Sequence, residues 1–215
     1  MKIEKYLLIL ALILVGVFIY FSSGWKVERP VAELYIMSYC PSWLQAQKWY
    51  LEVMDKLWKV ADVKVKFVHY IMHGQKEADE NVLQYCIQKW QPDKYSSYLK
   101  CFLGWEWNSE FCVKEAVVDY FKLDACISLT KKTYSVDEKM ADQSKQFPDF
   151  DLNKVDALKA WVDGSPTFIL NWKKIDGIWR YAKSYADEIC STFAKKPSEC
   201  DQEFWIINFN PWFGF

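Results

Sequence analysis

Hydrophobic and polar positions change period several times along this chain, and each change marks an element. From Ala32 to Ser38 the sequence is nearly continuously apolar between Leu34 and Met37, the pattern of a buried strand. From Ser42 to Trp58 the apolar positions Leu44, Leu51, Met54 and Trp58 recur at helical spacing, with Gln45, Gln47 and Lys48 on wetter sides. Val63 to Phe67 alternates apolar residues with lysine, and Val68 to Met72 is mostly apolar. A second strand is therefore expected over residues 63–72, half buried and then buried. Strand, helix and strand in succession make a βαβ unit, with parallel strands and a right-handed crossover.

Beyond Lys76 the pattern is helical as far as about Asp163. The predicted segments are 78–90, 94–103, 109–123 and 135–147, punctuated by Pro92, Gly104 and Pro148. Ser135 with Glu138 matches a capping box. Gly164-Ser165-Pro166 is a turn signal ahead of a short apolar strand, Phe168 to Leu170. Lys173 to Ile178 reads as the returning arm of a hairpin, with Asp176-Gly177 as a turn or bulge, and Tyr185 to Ala194 as a last helix. The tail from Phe204 to Phe215 is strongly aromatic.

Ahead of all this, Tyr6 to Phe21 is an uncharged apolar run, about 24 Å of helix. That is short for a spanning helix and long for the core of a secretion signal. Tyr20, Phe21 and Trp25 suit an interfacial anchor, while Ser22 and Gly24 suit a cleavage site. The pattern divides the chain into a membrane anchor or signal over 1–25, one α/β domain over 30–200 with a helical insertion over about 76–160, and the tail over 201–215. A total of 215 residues accommodates this. The 27 basic and 28 acidic residues nearly cancel, so no nucleic-acid partner is expected.

The chemistry concentrates at Cys40-Pro41-Ser42-Trp43, where the first strand delivers a cysteine to the start of a helix. Unbonded N–H groups and the positive end of the helix macrodipole stabilise a thiolate at such a place. Pro41 suits the first helical position, where a missing N–H costs nothing. Cys40 is thus the candidate nucleophile, with Pro41, Trp43 and His73 as neighbours. In a βαβ unit His69 and His73 fall near the same sheet edge. His69 reads as a strand-end residue without a role, and His73 is left open.

The order βαβ, helical insertion, proline, hairpin and helix resembles a thioredoxin-like fold with an inserted helical subdomain, as in DsbA-like proteins. His73-Gly74-x-x-Glu77-x-x-x-Asn81-x-x-x-x-Cys86 also resembles the signature of the gamma-interferon-inducible lysosomal thiol reductase family. That signature has two further cysteines, at the positions held here by Ile71 and Ala78, and the likeness covers about Glu33 to Asn171. If the two absent cysteines pair in the family, both partners are lost together here. The resemblance implies thiol–disulfide chemistry at Cys40. It implies a cis peptide bond at Pro166, with Ser165 and Pro166 binding an extended substrate peptide. Trp43 stands where a C-x-x-C site has its second cysteine, so a self-resolving dithiol is absent.

Seven cysteines leave six after Cys40: Cys86, Cys101, Cys112, Cys126, Cys190 and Cys200. Closeness in sequence favours a Cys190–Cys200 bridge, with the other four pairing inside the helical block. Disulfides place the domain outside the cytoplasm, either held by a single-pass membrane segment or secreted after cleavage. The four block cysteines lack C-x-x-C knuckles, so no metal is expected, and no cofactor. The expected activity is monothiol–disulfide exchange on a cysteine-containing protein or peptide, with an external thiol reductant or redox partner. The competing expectations are a redox-degenerate peptide-binding or chaperone-like module, and a structural subunit of a membrane assembly.

Overall fold

The computed structural model describes residues 29–104, 108–178 and 181–204, together with Leu10 and Ile13, and only the backbone of residues 41–43. The expected transmembrane segment and most of the aromatic tail lie outside the described residues. Among the described residues no helix is long and apolar enough to cross a membrane.

Four strands form one mixed sheet: β1 (Val31–Ile36), β2 (Asp62–Phe67), β3 (Thr167–Leu170) and β4 (Lys173–Ile175), in the order β2-β1-β3-β4. β1 pairs parallel with β2 and antiparallel with β3, and β3 pairs antiparallel with β4. The strand period of two sorts the side chains between two apolar layers. Ala32, Leu34, Ile36, Val65, Phe67, Phe168 and Leu170 enter the large core. Tyr35, Met37 and Ile169 enter a small cluster on the opposite face, with Val68, Ala157, Ala160 and Val162.

Helix α1 (Pro41–Leu57) covers the large face with Leu44, Tyr50, Val53 and Leu57, and the Tyr50 hydroxyl donates to the Ala32 carbonyl at 2.7 Å. Helix α8 (Ala182–Ser191) joins it there, starting earlier than the expected 185 because Ala182 is itself buried. Between β2 and β3 run α2 (Gln75–Trp90), α3 (Pro92–Gly104), α4 (Ser109–Glu115), α5 (Tyr120–Tyr134), α6 (Val136–Ala141) and α7 (Lys154–Lys159). The insertion shares the large core through Val82, Ile87, Tyr98 and Leu99. α7 covers the small cluster. The outer edge of β2 is closed by side chains. The Gln88 amide pairs with both the N–H and C=O of Val65, and Asn153 accepts from the Phe67 N–H.

Several sequence expectations need correction. The second strand stops at Phe67 and does not reach Met72. The chain leaves the sheet and makes an isolated bridge, Tyr70 to Asp149. The helix expected over 109–123 is two helices. Val117 takes φ 52°, the Val118 N–H reaches back to the Val113 carbonyl, and Asp119 caps α5 by accepting from Lys122 N–H. Gln91 holds that corner through both the N–H and C=O of Asp119. The capping box at Ser135 does not form. Ser135 is left-handed, at φ 49°, and an N-cap needs extended backbone to aim its hydroxyl at the helix. The helix expected to reach 147 ends at Ala141, where Asp142 turns the chain by accepting from Ser144 N–H. The hairpin reverses at Asn171-Trp172, both at positive φ, and its returning arm stops at Ile175, short of the expected 178, ahead of a bend at Gly177, φ 79°.

Three disulfides link these parts. Cys86–Cys126 joins α2 to α5, Cys101–Cys112 joins α3 to α4, and Cys190–Cys200 ties α8 to the segment after it.

Candidate active site

Cys40 is the cysteine outside these bridges. The chain turns after β1, with the Cys40 N–H donating to the Met37 carbonyl at 3.4 Å. Cys40 then takes the N-cap of α1 with extended backbone, φ −84° and ψ 123°. Its carbonyl accepts the first helical bond from Leu44 N–H at 3.1 Å. This is the helix end whose N–H groups lack intrahelical acceptors. Cys40 is half-buried and packs, with Tyr70, against the small apolar cluster. Trp43 is helical in its backbone, but its side chain, and with it the expectation that it faces the sulfur, lies outside the described residues.

The strand register brings a second loop to the same sheet edge. Tyr35 pairs with Thr167, so the turn after β1 and the turn before β3 are neighbours. The Ser165–Pro166 bond is cis, and the Thr167 hydroxyl donates to the Gly164 carbonyl at 2.7 Å. The Tyr70 hydroxyl donates to the Asp163 carbonyl at 3.3 Å, tying the third loop of this edge to the second. Behind Pro166 lies a cavity of about 530 Å³, lined by Ser165, Phe168, Ile175, Ile178 and Tyr185 among others. The Ser165 and Tyr185 hydroxyl oxygens are buried and lack a hydrogen-bond partner. Burial pushes the Tyr185 phenol well above its ordinary range.

The residues of the His73 motif have a structural meaning. Gly74 sits at φ 73°, a conformation that favours glycine, and opens α2. The Glu77 side chain turns back over that start, and one of its oxygens accepts from the N–H groups of Met72 and His73 and meets His73 Nδ1 at 2.6 Å. Glu77 is fully buried and His73 half-buried. One turn on, Asn81 accepts from the Ser38 hydroxyl at 2.5 Å, which fastens α2 to the turn before Cys40. Ile71 and Ala78 are both buried in the large core. His69 is half-buried, and its ring stands edge-on to Tyr70.

Two buried charge systems escaped the sequence reading. Glu33, in the apolar β1, pairs with Lys66 at 2.7 Å, and Lys66 also meets Asp156 at 2.8 Å. Burial works against the Lys66 ammonium, but Asp156 and Glu33 outweigh it and hold its pKa above the ordinary value. On α2, Glu80 lies 2% exposed among Gln84, Tyr98 and Ser109. The available signal was a polar stripe, Glu77, Glu80, Asn81 and Gln84, at helical spacing on the side of α2 opposite Val82 and Cys86, on a helix buried on both sides.

Neither a family model nor a curated protein matches the sequence. Solved structures do. The reduced DsbA of Mycobacterium tuberculosis is 13% identical and superposes with a TM-score of 0.54, over 83% of this chain and 93% of that one. Its oxidised form gives 12% identity and a TM-score of 0.55 over 83% and 94%. The reduced disulfide bond oxidoreductase DsbG of the same organism gives 13% identity and 0.55 over 83% and 88%. At these identities the likeness establishes the fold, a DsbA-like thioredoxin fold with a helical insertion.

Proposed function

We propose that this chain is a thiol–disulfide oxidoreductase that uses Cys40 as its single nucleophile. The observation that carries the reading is the placement of Cys40. It sits at the N-cap of α1, on the sheet edge that also presents the cis Ser165–Pro166 bond, while the six other cysteines are in disulfides. The Cys40 thiolate attacks one sulfur of a substrate disulfide. A Cys40–substrate bond forms, the substrate bond breaks, and the other sulfur leaves as a thiolate. Release needs a second thiol that attacks the mixed disulfide and returns Cys40 as a thiolate. If that thiol is a cysteine of the substrate, the cycle is an isomerisation with no net electron transfer. If it is an external thiol, two such thiols become one disulfide and the substrate gains their two electrons. Extended peptide would lie along Ser165 and Pro166.

The three disulfides support an oxidising location outside the cytoplasm. The apolar Tyr6 to Phe21 run supports a membrane tether. Carbonate washing is then expected to leave the protein in the membrane pellet. Release of a species beginning near Trp25 would mean a cleaved signal.

The second reading is a peptide-binding module without turnover, favoured by tryptophan at position 43. One pair of variants separates the two. Cys40→Ser should abolish every trapped mixed disulfide. Trp43→Cys should cycle between dithiol and disulfide, because i and i+3 on a first helical turn fall within the about 4.4–6.8 Å between Cα atoms that a bridge needs. Wild type should stall as a mixed disulfide until an external thiol is supplied. A folded Trp43→Cys protein that forms no bridge to Cys40 under oxidising conditions rules out the proposed geometry.

A further inference from the structure

We propose that Glu80 is a positioning residue for Cys40, holding the two residues that precede the cysteine through hydrogen bonds that reorganise when its carboxyl gains or loses a proton. This rests on the reading of Cys40 as the nucleophile. Glu80 sits at the centre of a buried polar network. Its Oε1 accepts from Gln84 Nε2 at 2.7 Å and from the Tyr98 hydroxyl at 2.8 Å, and its Oε2 accepts from the Ser109 hydroxyl at 2.5 Å. Two arms lead from it to the turn before α1. In the first, Gln84 Nε2 also donates to Ser38 Oγ at 3.4 Å, and Ser38 in turn donates to Asn81. In the second, Ser109 faces the Tyr39 phenol, whose ring stands edge-on to Phe102. Ser38 and Tyr39 are the residues immediately before Cys40.

Among the described residues nothing around Glu80 compensates a negative charge fully. The titratable groups that face it among the described residues are Tyr95 and Tyr98 from α3 and Tyr39 from the turn before α1. From α4 comes the neutral Ser109. On its own helix, Asp79 points to the surface and pairs with Lys131, and Glu77 is engaged by His73. Among the described residues no lysine, arginine or histidine bonds to Glu80. Lys76 reaches only the outer face of the Tyr39 ring, 4.8 Å from its centre. Burial raises the Glu80 carboxyl to about 7, against the hydrogen bonds from Ser109, Gln84 and Tyr98 that lower it. The protonated carboxyl is a donor where the carboxylate only accepts, so one of its present donors must turn to accept. Tyr98 and Ser109 can do so, and a turned Ser109 hydroxyl changes what it offers Tyr39.

The test is the alkylation rate of Cys40 by a neutral iodoacetamide, measured in wild type and Glu80→Gln from pH 6 to pH 8. Taking the ratio of the two rates isolates the pH dependence that Glu80 contributes, whether it acts on the thiol's ionisation or on its placement. The ratio should change by about three- to tenfold across that range, the size expected of a charge coupled through a protein interior. A flat ratio in folded Glu80→Gln protein overturns the proposal. If Glu80→Gln does not fold, the paired substitution Ser38→Ala with Tyr39→Phe cuts both arms and leaves Glu80 in place. Its ratio to wild type should show the same pH dependence, and a flat ratio again overturns the proposal. Alkylation needs no turnover, so the outcome is independent of whether Cys40 traps a substrate disulfide. Trapping that is normal alongside a flat ratio defeats this inference alone, and absent trapping defeats the functional reading alone.

Discussion

The two flanks of Cys40 are built on opposite principles. On the α2 side most of the buried polar groups are bonded to one another, Ser38 to Asn81, Gln84 to Glu80, and Glu80 to Tyr98 and Ser109, although Asn81 Nδ2 and Glu77 Oε1 lack partners. Two disulfides cross-link the helices that carry them. On the Pro166 side a cavity of about 530 Å³ opens, and the buried hydroxyls of Ser165 and Tyr185 lack partners. A buried polar atom without a hydrogen bond costs stability that a bonded one does not. The first flank therefore spends its polar groups on holding the cysteine turn. On the proposed function, the second leaves them for a substrate peptide to satisfy. Substitutions on the first should cost stability, and substitutions on the second should cost binding.

The largest effect expected on the closed flank is from its cross-links. Replacing Cys86 and Cys126 by alanine should lower unfolding free energy by about 4 kcal/mol, and replacing Cys101 and Cys112 by about 3 kcal/mol, because the longer loop restricts the unfolded chain more. Urea unfolding of the two double variants measures the difference, and the reverse order would mean that loop length does not set it.

Next comes the pH dependence contributed by Glu80. Its carboxyl holds a proton up to about 7 in the folded chain, against an ordinary value of 4.5. The folded state then binds more protons than the unfolded state between these two values. Stability should accordingly fall as pH rises from about 4.5 to about 7 and stay lower above that, by at most about 3 kcal/mol. Glu80→Gln should remove this slope. Urea midpoints at pH 5 and pH 8 suffice, and a wild-type slope of opposite sign would mean the buried group is ionised throughout.

Smaller effects are expected across the sheet edge. Thr167→Val removes the bond to the Gly164 carbonyl and should cost about 1 kcal/mol, read as a shift in the thermal midpoint. Ser165→Ala removes a hydroxyl that bonds to nothing, so stability should stay within about 0.5 kcal/mol of wild type. Calorimetric affinity for a cysteine-containing peptide should nevertheless drop. A large stability loss from Ser165→Ala would erase the contrast between the two flanks.

Much of this architecture was legible in the residue pattern. Local periodicity reports which face of an element is apolar, and that depends on neighbours three or four residues away, or two in a strand. Hence β1, α1, the helical insertion and the cysteine at the start of α1 could be read directly. So could the polar stripe of α2, although not what it served. Features that depend on contacts distant in sequence could not be read. The end of β2 at Phe67 follows from the meeting of Tyr70 with Asp149, and the split between α4 and α5 follows from Gln91 gripping Asp119. Likewise the pairing of Cys86 with Cys126 needed the packing of α2 on α5. By itself the sequence determined where the candidate cysteine stands and which segments are strand or helix, because neighbouring side chains encode both. Only the tertiary structure decided what the neighbouring turns pack against, a hydrogen-bonded network behind Ser38 and a cavity beside Pro166. Burial and hydrogen-bond partnership are properties of positions in space, and residues 38, 80 and 109 become neighbours only when the chain is folded.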